Sequence, residues 1–367
     1  MTVTTGIELE LWVVDQNGRL TDGRAVADAH CRIEPEFVTS MLEVKTAPRD
    51  SLPALRRDFH EILQTAIRAA HAGEKRLVPL GTPLTASDGE THTERGELFE
   101  AIYGDGVECA KNCAGAHVHF ERDETVRQLR TLTALDPALA LVSSAPYYCG
   151  TGVQSSARAH AYRLKCGEEF QQFCDLWPYA DCVADWRDRV DERFAAFTSL
   201  ATDRGVSSAV VADHFTPENT VLNPVRLREC QPTVEWRAPD SALPSQLLQL
   251  TADVEAVVAQ TASKPVVVGS PGLHDNRVGI PEFETLRGLS KAAINFGLQP
   301  RPVRSYLEAF GFDCSAYQPL SPRIADGDSV TEADARSLCL AQADRLEADV
   351  DDGLAPPSTR DGLFEGA

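Results

Sequence analysis

CAGAHVHF, residues 113–120, sets two histidines two positions apart inside an apolar run. A spacing of two belongs to a strand, whose side chains alternate between faces, and not to a helix. His117 and His119 therefore share a face with Glu121, while Ala116, Val118 and Phe120 share the other. Imidazole is the commonest metal-binding side chain, so the pair reads either as ligands or as polar residues on the wet face of a sheet.

Three other segments repeat the pattern. In GIELELW (6–12), Ile7, Leu9 and Leu11 oppose Glu8 and Glu10. In MLEVKTA (41–47), Leu42, Val44 and Thr46 oppose Met41, Glu43 and Lys45, and in TVEWRA (233–238), Val234, Trp236 and Ala238 oppose Thr233, Glu235 and Arg237. Alternation of this kind belongs to an antiparallel sheet with one apolar face, and the interleaved helices make the class α+β. A half-solvated sheet is the plain reading of the polar face. Glu has poor strand propensity, however, and like charges gathered on one face raise one another's pKa unless a cation sits among them. Carboxylate oxygens with an occasional imidazole form the ligand set expected for Mg²⁺ or Mn²⁺.

Elsewhere the chain punctuates itself. QNG (16–18) followed by RLTDG predicts a turn and a return strand after the first strand. Ser51–Ala72 reads as a helix with Pro53 in its first turn, RLVPLGT (76–82) as a strand, and residues 83–93 as a polar loop. Helices are expected over Glu124–Ser144, Trp186–Ala201 and Pro244–Ala262, with a largely helical C-terminal third. No linker or repeat divides the chain, so residues 1–350 are expected to form a single catalytic domain and 351–367 a flexible acidic tail. Neither GDGVEC (104–109) nor GTGVQS (150–155) completes a G-x-G-x-x-G, and no Walker A sequence occurs.

Composition narrows the setting. The 367 residues carry 55 acidic against 35 basic side chains, a net charge of −20, and only 6 of the basic residues are Lys, leaving 29 Arg. Abundant carboxylates with scarce Lys suit a solvent of very high ionic strength, which predicts a halophile, in particular a haloarchaeal source. No basic stripe offers itself to phosphates, so nucleic acid is excluded as a partner. The charged MTVTTGIELE start does not read as a signal peptide and no run approaches a membrane span, so the expected location is the cytoplasm. Ten cysteines without a CxxC pair, Cys166, Cys174 and Cys182 among them, read as small buried hydrophobes.

GIELELWVVD, PEFVTSMLEVKTAP, CAGAHVHF and TVEWRAPDS, in that order and at these distances, resemble the glutamate–cysteine ligase type 2 (carboxylate–amine ligase) family over residues 6 to about 260. The resemblance implies a glutamine-synthetase-like antiparallel sheet forming a funnel, with helices packed behind it. It also implies an ATP- and Mg²⁺-dependent enzyme joining the γ-carboxylate of glutamate to an amine, cysteine foremost, with a homo-oligomer left open. Residue by residue, it makes Glu8, Glu10, Glu36, Glu43, His117 and Glu235 metal ligands. His119, Arg158 and Arg237 become nucleotide or substrate contacts, with Glu235 and Arg237 catalytic. In such chemistry ATP converts the carboxylate to an acyl phosphate, and Arg237, a planar five-donor cation, stabilises the transferring group. Crowding on the acidic face further predicts that Glu235→Gln raises stability in the absence of metal.

Two other classes compete. An amidohydrolase would begin a Zn²⁺ site at the HxH pair, recruit His160, His214 or His274 with Asp213, and need a parallel βα barrel. A non-catalytic binding protein would keep six acidic or imidazole positions without a chemical use for them.

The charge balance makes a direct forecast. Lowering KCl from molar to about 0.1 M lengthens the Debye length from about 3 to about 10 Å, so carboxylate repulsion should lower the melting temperature. A melting temperature unchanged over that range would remove the halophile reading.

Overall fold

The computed structural model describes residues 3–85, 91 and 93–354. Seven strands form the main sheet: β1 (Thr5–Asp15), β2 (Ile33–Pro35), β3 (Met41–Lys45), β4 (Lys75–Val78), β5 (Ala116–Glu121), then β8 (Val225–Arg228) and β9 (Thr233–Trp236). Between β5 and β8 in sequence, β6 (Tyr147–Tyr148) and β7 (Thr151–Gly152) make a separate small pair. The order is β2-β3-β1-β5-β9-β8 with every pair antiparallel, and the four segments singled out by alternation are adjacent in it. Strand β1 is central. Along Glu8–Trp12 it pairs with β3, and on its other side it pairs with β5 over Thr5–Leu9 and with β4 over Trp12–Asp15.

Alternation explains why this register holds. Ile7, Leu9, Leu11, Val44, Val118, Val234 and Trp236 enter one core with Phe59 and Leu63 of the helix Leu52–Ala72 and Leu248 and Val254 of the helix Pro244–Gln260. Slipping any strand by one residue would expose that set and drive carboxylates into the core. At about 1.5–3 kcal/mol for each large side chain buried, the apolar face decides the pairing. Beyond Glu10 the opposite face of β1 turns apolar. Trp12 and Val14 pack with Met41, Val78, Leu80, Cys339 and Ala343, which closes the polar patch at one end. Over the patch stands a third cluster of Phe99, Tyr103, Phe170, Phe173, Phe197 and Phe215, drawn largely from the helices Glu94–Tyr103, Glu168–Cys174 and Val183–Asp203.

Several elements differ from their sequence reading. The return strand after QNG contributes one bridge, Val14 to Leu20, before the chain turns into the short helix Arg24–Ala27. The expected helix Glu124–Ser144 is α-helical only over Thr125–Ala134 and continues as 3-10 turns over Asp136–Leu141, because Pro137 cannot supply an α-helical N–H. In the C-terminal third, β10 (Val266–Val268), β11 (Gly272–Leu273) and β12 (Val278–Ile280) form a small sheet beside the expected helices. The last described helix, Glu332–Leu354, carries Asp351–Leu354, which sequence had put in the tail, because Leu346 and Val350 anchor its final turns in the core. Residues 355–367 lie outside the described ones. No disulfide joins the cysteines; Cys113, Cys166, Cys174 and Cys339 are buried as expected, whereas Cys31, Cys182 and Cys230 are exposed, Cys182 capping a helix N-terminus. Among the described residues no helix is long and apolar enough to cross a membrane.

Candidate active site

Between the polar face of the sheet and the aromatic cluster lies a cavity of about 520 Å³. Pairing register builds its floor. Glu34, Glu43 and Glu10 are cross-strand neighbours on β2, β3 and β1; Lys45, Glu8 and His117 on β3, β1 and β5; His119, Glu235 and Arg226 on β5, β9 and β8. Carboxylates therefore gather at the β3–β1 half and guanidinium groups at the β9–β8 half. Glu36, just beyond β2, completes the acidic half, and Arg228, Arg237, Arg158 and Arg95 also line the cavity.

Every residue given a metal role by the sequence comes together here. Glu10, Glu36 and Glu43 each bring a ligand atom within 4.8 Å of the others, as do Glu8, Glu43 and His117, and again Glu8, His119 and Glu235. His117 is the hub: its Nδ1 is 3.4 Å from Glu8 and 3.7 Å from Glu43, and its Nε2 is 3.6 Å from Glu10. Nε2 of both histidines is buried without a hydrogen-bond partner. None of His160, Asp213, His214 and His274 joins these clusters, and the sheet that carries HxH is antiparallel, contrary to what the amidohydrolase reading required.

The acids strain against one another. Burial and the Glu10 carboxylate push Glu36 up to about 8, and burial with Glu8 and Glu36 holds Glu43 well above the usual range. Glu8 is also buried, but the hydrogen bond to His117 and the charge of the His119 imidazole 3.3 Å away hold it well below. Lys45 supplies the local compensation, with Nζ 2.8 Å from Glu43, 2.9 Å from Glu34 and 3.9 Å from Glu8. One ammonium against four carboxylates, Glu8, Glu10, Glu36 and Glu43, leaves a net negative site. That donor set fits hard divalent cations.

Glu235 lives differently. Its side chain is fully buried, below the cavity lining, and it accepts from Arg226 Nε at 2.5 Å, from Arg237 Nη1 at 2.6 Å and from Arg228 Nη1 at 3.4 Å. Although burial works against its charge, Arg226 and Arg237 bring it well below the usual range. The expectation that Glu235→Gln relieves repulsion is therefore corrected, because the carboxylate is surrounded by cations. His119 likewise does not line the cavity. Its Nδ1 meets the Thr233 hydroxyl at 3.1 Å and its Nε2 is 3.3 Å from Glu8. Arg158 reaches the cavity, yet its guanidinium donates to the carbonyls of Arg237 and Ala238 at 3.3 and 3.4 Å. It lies flat over Gly115, where any Cβ would clash with it. In this geometry it braces the strand end that carries Arg237.

Sequence reasoning missed Arg95, Arg226 and Arg228. The last two had a readable signal, since VRLR (225–228) alternates like the other strands. Arg95 had none, being the second residue of a helix after a polar loop.

The raised carboxyls make the site pH-sensitive. Between the ordinary 4.5 and about 8 the folded protein holds the Glu36 proton that the unfolded chain has lost, so metal-free stability should fall as pH rises through that window. A divalent cation must displace these protons, so the stabilisation by Mg²⁺ should grow from pH 5 to pH 9. Melting temperatures with EDTA and with Mg²⁺ across that range check this; a gap independent of pH would count against cation binding by these acids.

The comparisons with known proteins agree with the fold. Residues 4–295 match the model of glutamate-cysteine ligase family 2. No curated protein sequence matches the chain at a significant level. Among solved structures, a glutamate–cysteine ligase from Francisella tularensis in complex with AMP superposes with a TM-score of 0.61 at 12% identity, covering 96% of this chain and 92% of that one. A bifunctional glutathione synthetase from Pasteurella multocida gives a TM-score of 0.53 at 14% identity, over 95% of this chain. This chain spans about half of that protein, 52% of its length. At these identities the likeness is one of fold. The matched family model, extending over most of the chain and containing all four alternating strands, makes this protein a member of glutamate-cysteine ligase family 2, a family of carboxylate–amine ligases.

Proposed function

We propose that the protein is an ATP-dependent glutamate–cysteine ligase, its described residues forming one catalytic unit. One observation carries this reading: a single cavity holds a cluster of mutually destabilised carboxylates facing a set of fixed guanidinium groups. A phosphoryl group in flight from a nucleotide triphosphate to a carboxylate needs both, because cations must neutralise its oxygens while nothing disturbs its in-line path. The cavity volume of about 520 Å³ is in the range of small-molecule sites.

In this reading Glu10, Glu36 and Glu43 would hold one divalent cation, and Glu8 would hold another with His119 and Glu235 or with Glu43 and His117. Mg²⁺, with Mn²⁺ as a substitute, would supply charge neutralisation for the ATP phosphates. Arg237, kept charged and oriented by Glu235, has its remaining donors free to stabilise the phosphoryl group as it passes from ATP to the glutamate γ-carboxylate. ADP is the leaving group of that transfer; the cysteine amine then attacks the carbonyl carbon of the γ-glutamyl phosphate, the C–O bond breaks with its electron pair going to phosphate, and the departing phosphate takes up the amine proton. His119, which lies below the cavity lining, would act on the phosphates only through Glu8, and Arg158 would hold the Arg237 backbone in place.

Phosphate release measured with ATP, Mg²⁺, glutamate and a panel of amines in molar KCl tests the proposal. Release dependent on glutamate and greatest with cysteine is expected. Release with a different amine would keep the ligase and replace its substrate, and no glutamate-dependent release with any amine would overturn the reading. Glu235→Gln should lose ligation and, with three guanidinium groups left short of charge, lose about 3 kcal/mol or more of metal-free stability. Unchanged stability in urea unfolding would contradict its role as the anchor of the arginines.

A further inference from the structure

Among the described residues Arg95 is a cation without an acid in ion-pair contact. It stands in the first turn of the helix Glu94–Tyr103, fixed by the Thr93 hydroxyl that accepts from the Gly96 N–H at 3.0 Å. Its guanidinium lines the cavity and lies 5.4–5.7 Å from the ring centroids of Phe37, Phe99 and Phe215. One nitrogen, Nη2, donates to the Asn219 carbonyl at 2.7 Å. Nε is buried and has no partner, and among the described residues no carboxylate forms an ion pair with Arg95. The neighbouring cations are committed: Arg226 and Arg237 to Glu235, and Arg228 to Glu235 and Glu218.

A half-buried guanidinium without a counter-ion carries a desolvation cost, and three aromatic rings offset only part of it. Burial and the Arg226 charge push Arg95 down to about 10, so it remains a cation at neutral pH. The arrangement is stabilised by an anion that arrives with the substrate. Glu36, in the acidic half, is the acid that Arg95 senses electrostatically, though without contact. A molecule with two carboxylates can present one toward the acidic, cation-binding half and the other to Arg95. Resting on the ligase reading, we propose that Arg95 binds the α-carboxylate of the glutamate whose γ-carboxylate is activated. It is thus a substrate-recognition residue that selects amino-acid dicarboxylates over simple acids.

The probe pair is L-glutamate and 4-aminobutanoate, which keeps the distal carboxylate and lacks the α-carboxylate. Binding of each is measured by calorimetry on the full chain with Mg²⁺ and a non-hydrolysable ATP analogue in molar KCl. Wild type should prefer glutamate by roughly 10- to 100-fold, the range of a hydrogen bond to a charged group. Arg95→Gln should lose this preference through weaker glutamate binding, with 4-aminobutanoate unchanged and the KM for ATP and for cysteine within about 2-fold. Arg95→Lys, which keeps charge and bulk, should keep the melting temperature yet recover only part of the preference, because a point charge does not replace the planar fork. It decides the matter if the Gln variant does not fold. Retention of the preference in both variants, or a KM increase confined to cysteine or ATP, would overturn the assignment. A wild type that releases no phosphate defeats the ligase reading alone, while the glutamate preference still judges Arg95.

Discussion

Four carboxylates, Glu8, Glu10, Glu36 and Glu43, are forced together by the pairing of β1 with its neighbours, and much of the rest of the site answers that constraint. The chain cannot relax them apart without breaking the register, since the same alternation that aims them into the cavity aims Ile7, Leu9, Leu42 and Val44 into the core. Hydrophobic burial therefore supplies the free energy that holds like charges close. In the protein alone the repulsion is met by the raised proton affinity of Glu36 and Glu43, by the His117 hydrogen bond and the nearby His119 imidazole at Glu8, and by Lys45. Each of these is a partial substitute for a divalent cation.

Across β5 the sign reverses. Arg226, Arg228 and Arg237 would repel one another as the acids do, and Glu235 is the buried anion that organises them. Its position beside His117 and His119, at 3.8 and 3.9 Å, ties the two halves into one electrostatic unit. A cavity with an acidic end and a guanidinium-lined end suits the carboxylate activation by a nucleotide proposed for it. The membership of the chain in a family of carboxylate–amine ligases then has a physical account in its own residues.

Much of this was legible in the sequence because a period of two leaves little freedom. Once GIELELW, MLEVKTA, AHVHFE and TVEWRA are read as strands, the face on which Glu8, Glu10, Glu43, His117 and Glu235 fall follows. What the alternation does not encode is which charges meet. The pairing of Glu235 with Arg226 depends on β8 folding back beside β9, a nine-residue return whose partner strand was not recognised as one. Arg95 reaches the cavity from the first turn of a helix, so no period points to it. Likewise the 3-10 turns at Asp136–Leu141 and the single bridge at Leu20 are local breaks imposed by proline and by tertiary packing, to which periodicity is blind.

The central claim is that the crowded acids exist to hold cations, and Mn²⁺ makes it directly observable. Crystals grown with Mn²⁺ and a non-hydrolysable ATP analogue, measured at the manganese absorption edge, should show one anomalous peak among Glu10, Glu36 and Glu43. A second should lie beside Glu8, Glu235 and the HxH histidines, with Lys45 released from Glu43. Saturating Mn²⁺ with no anomalous peak inside this cavity, and Lys45 still paired to Glu43, would contradict the account.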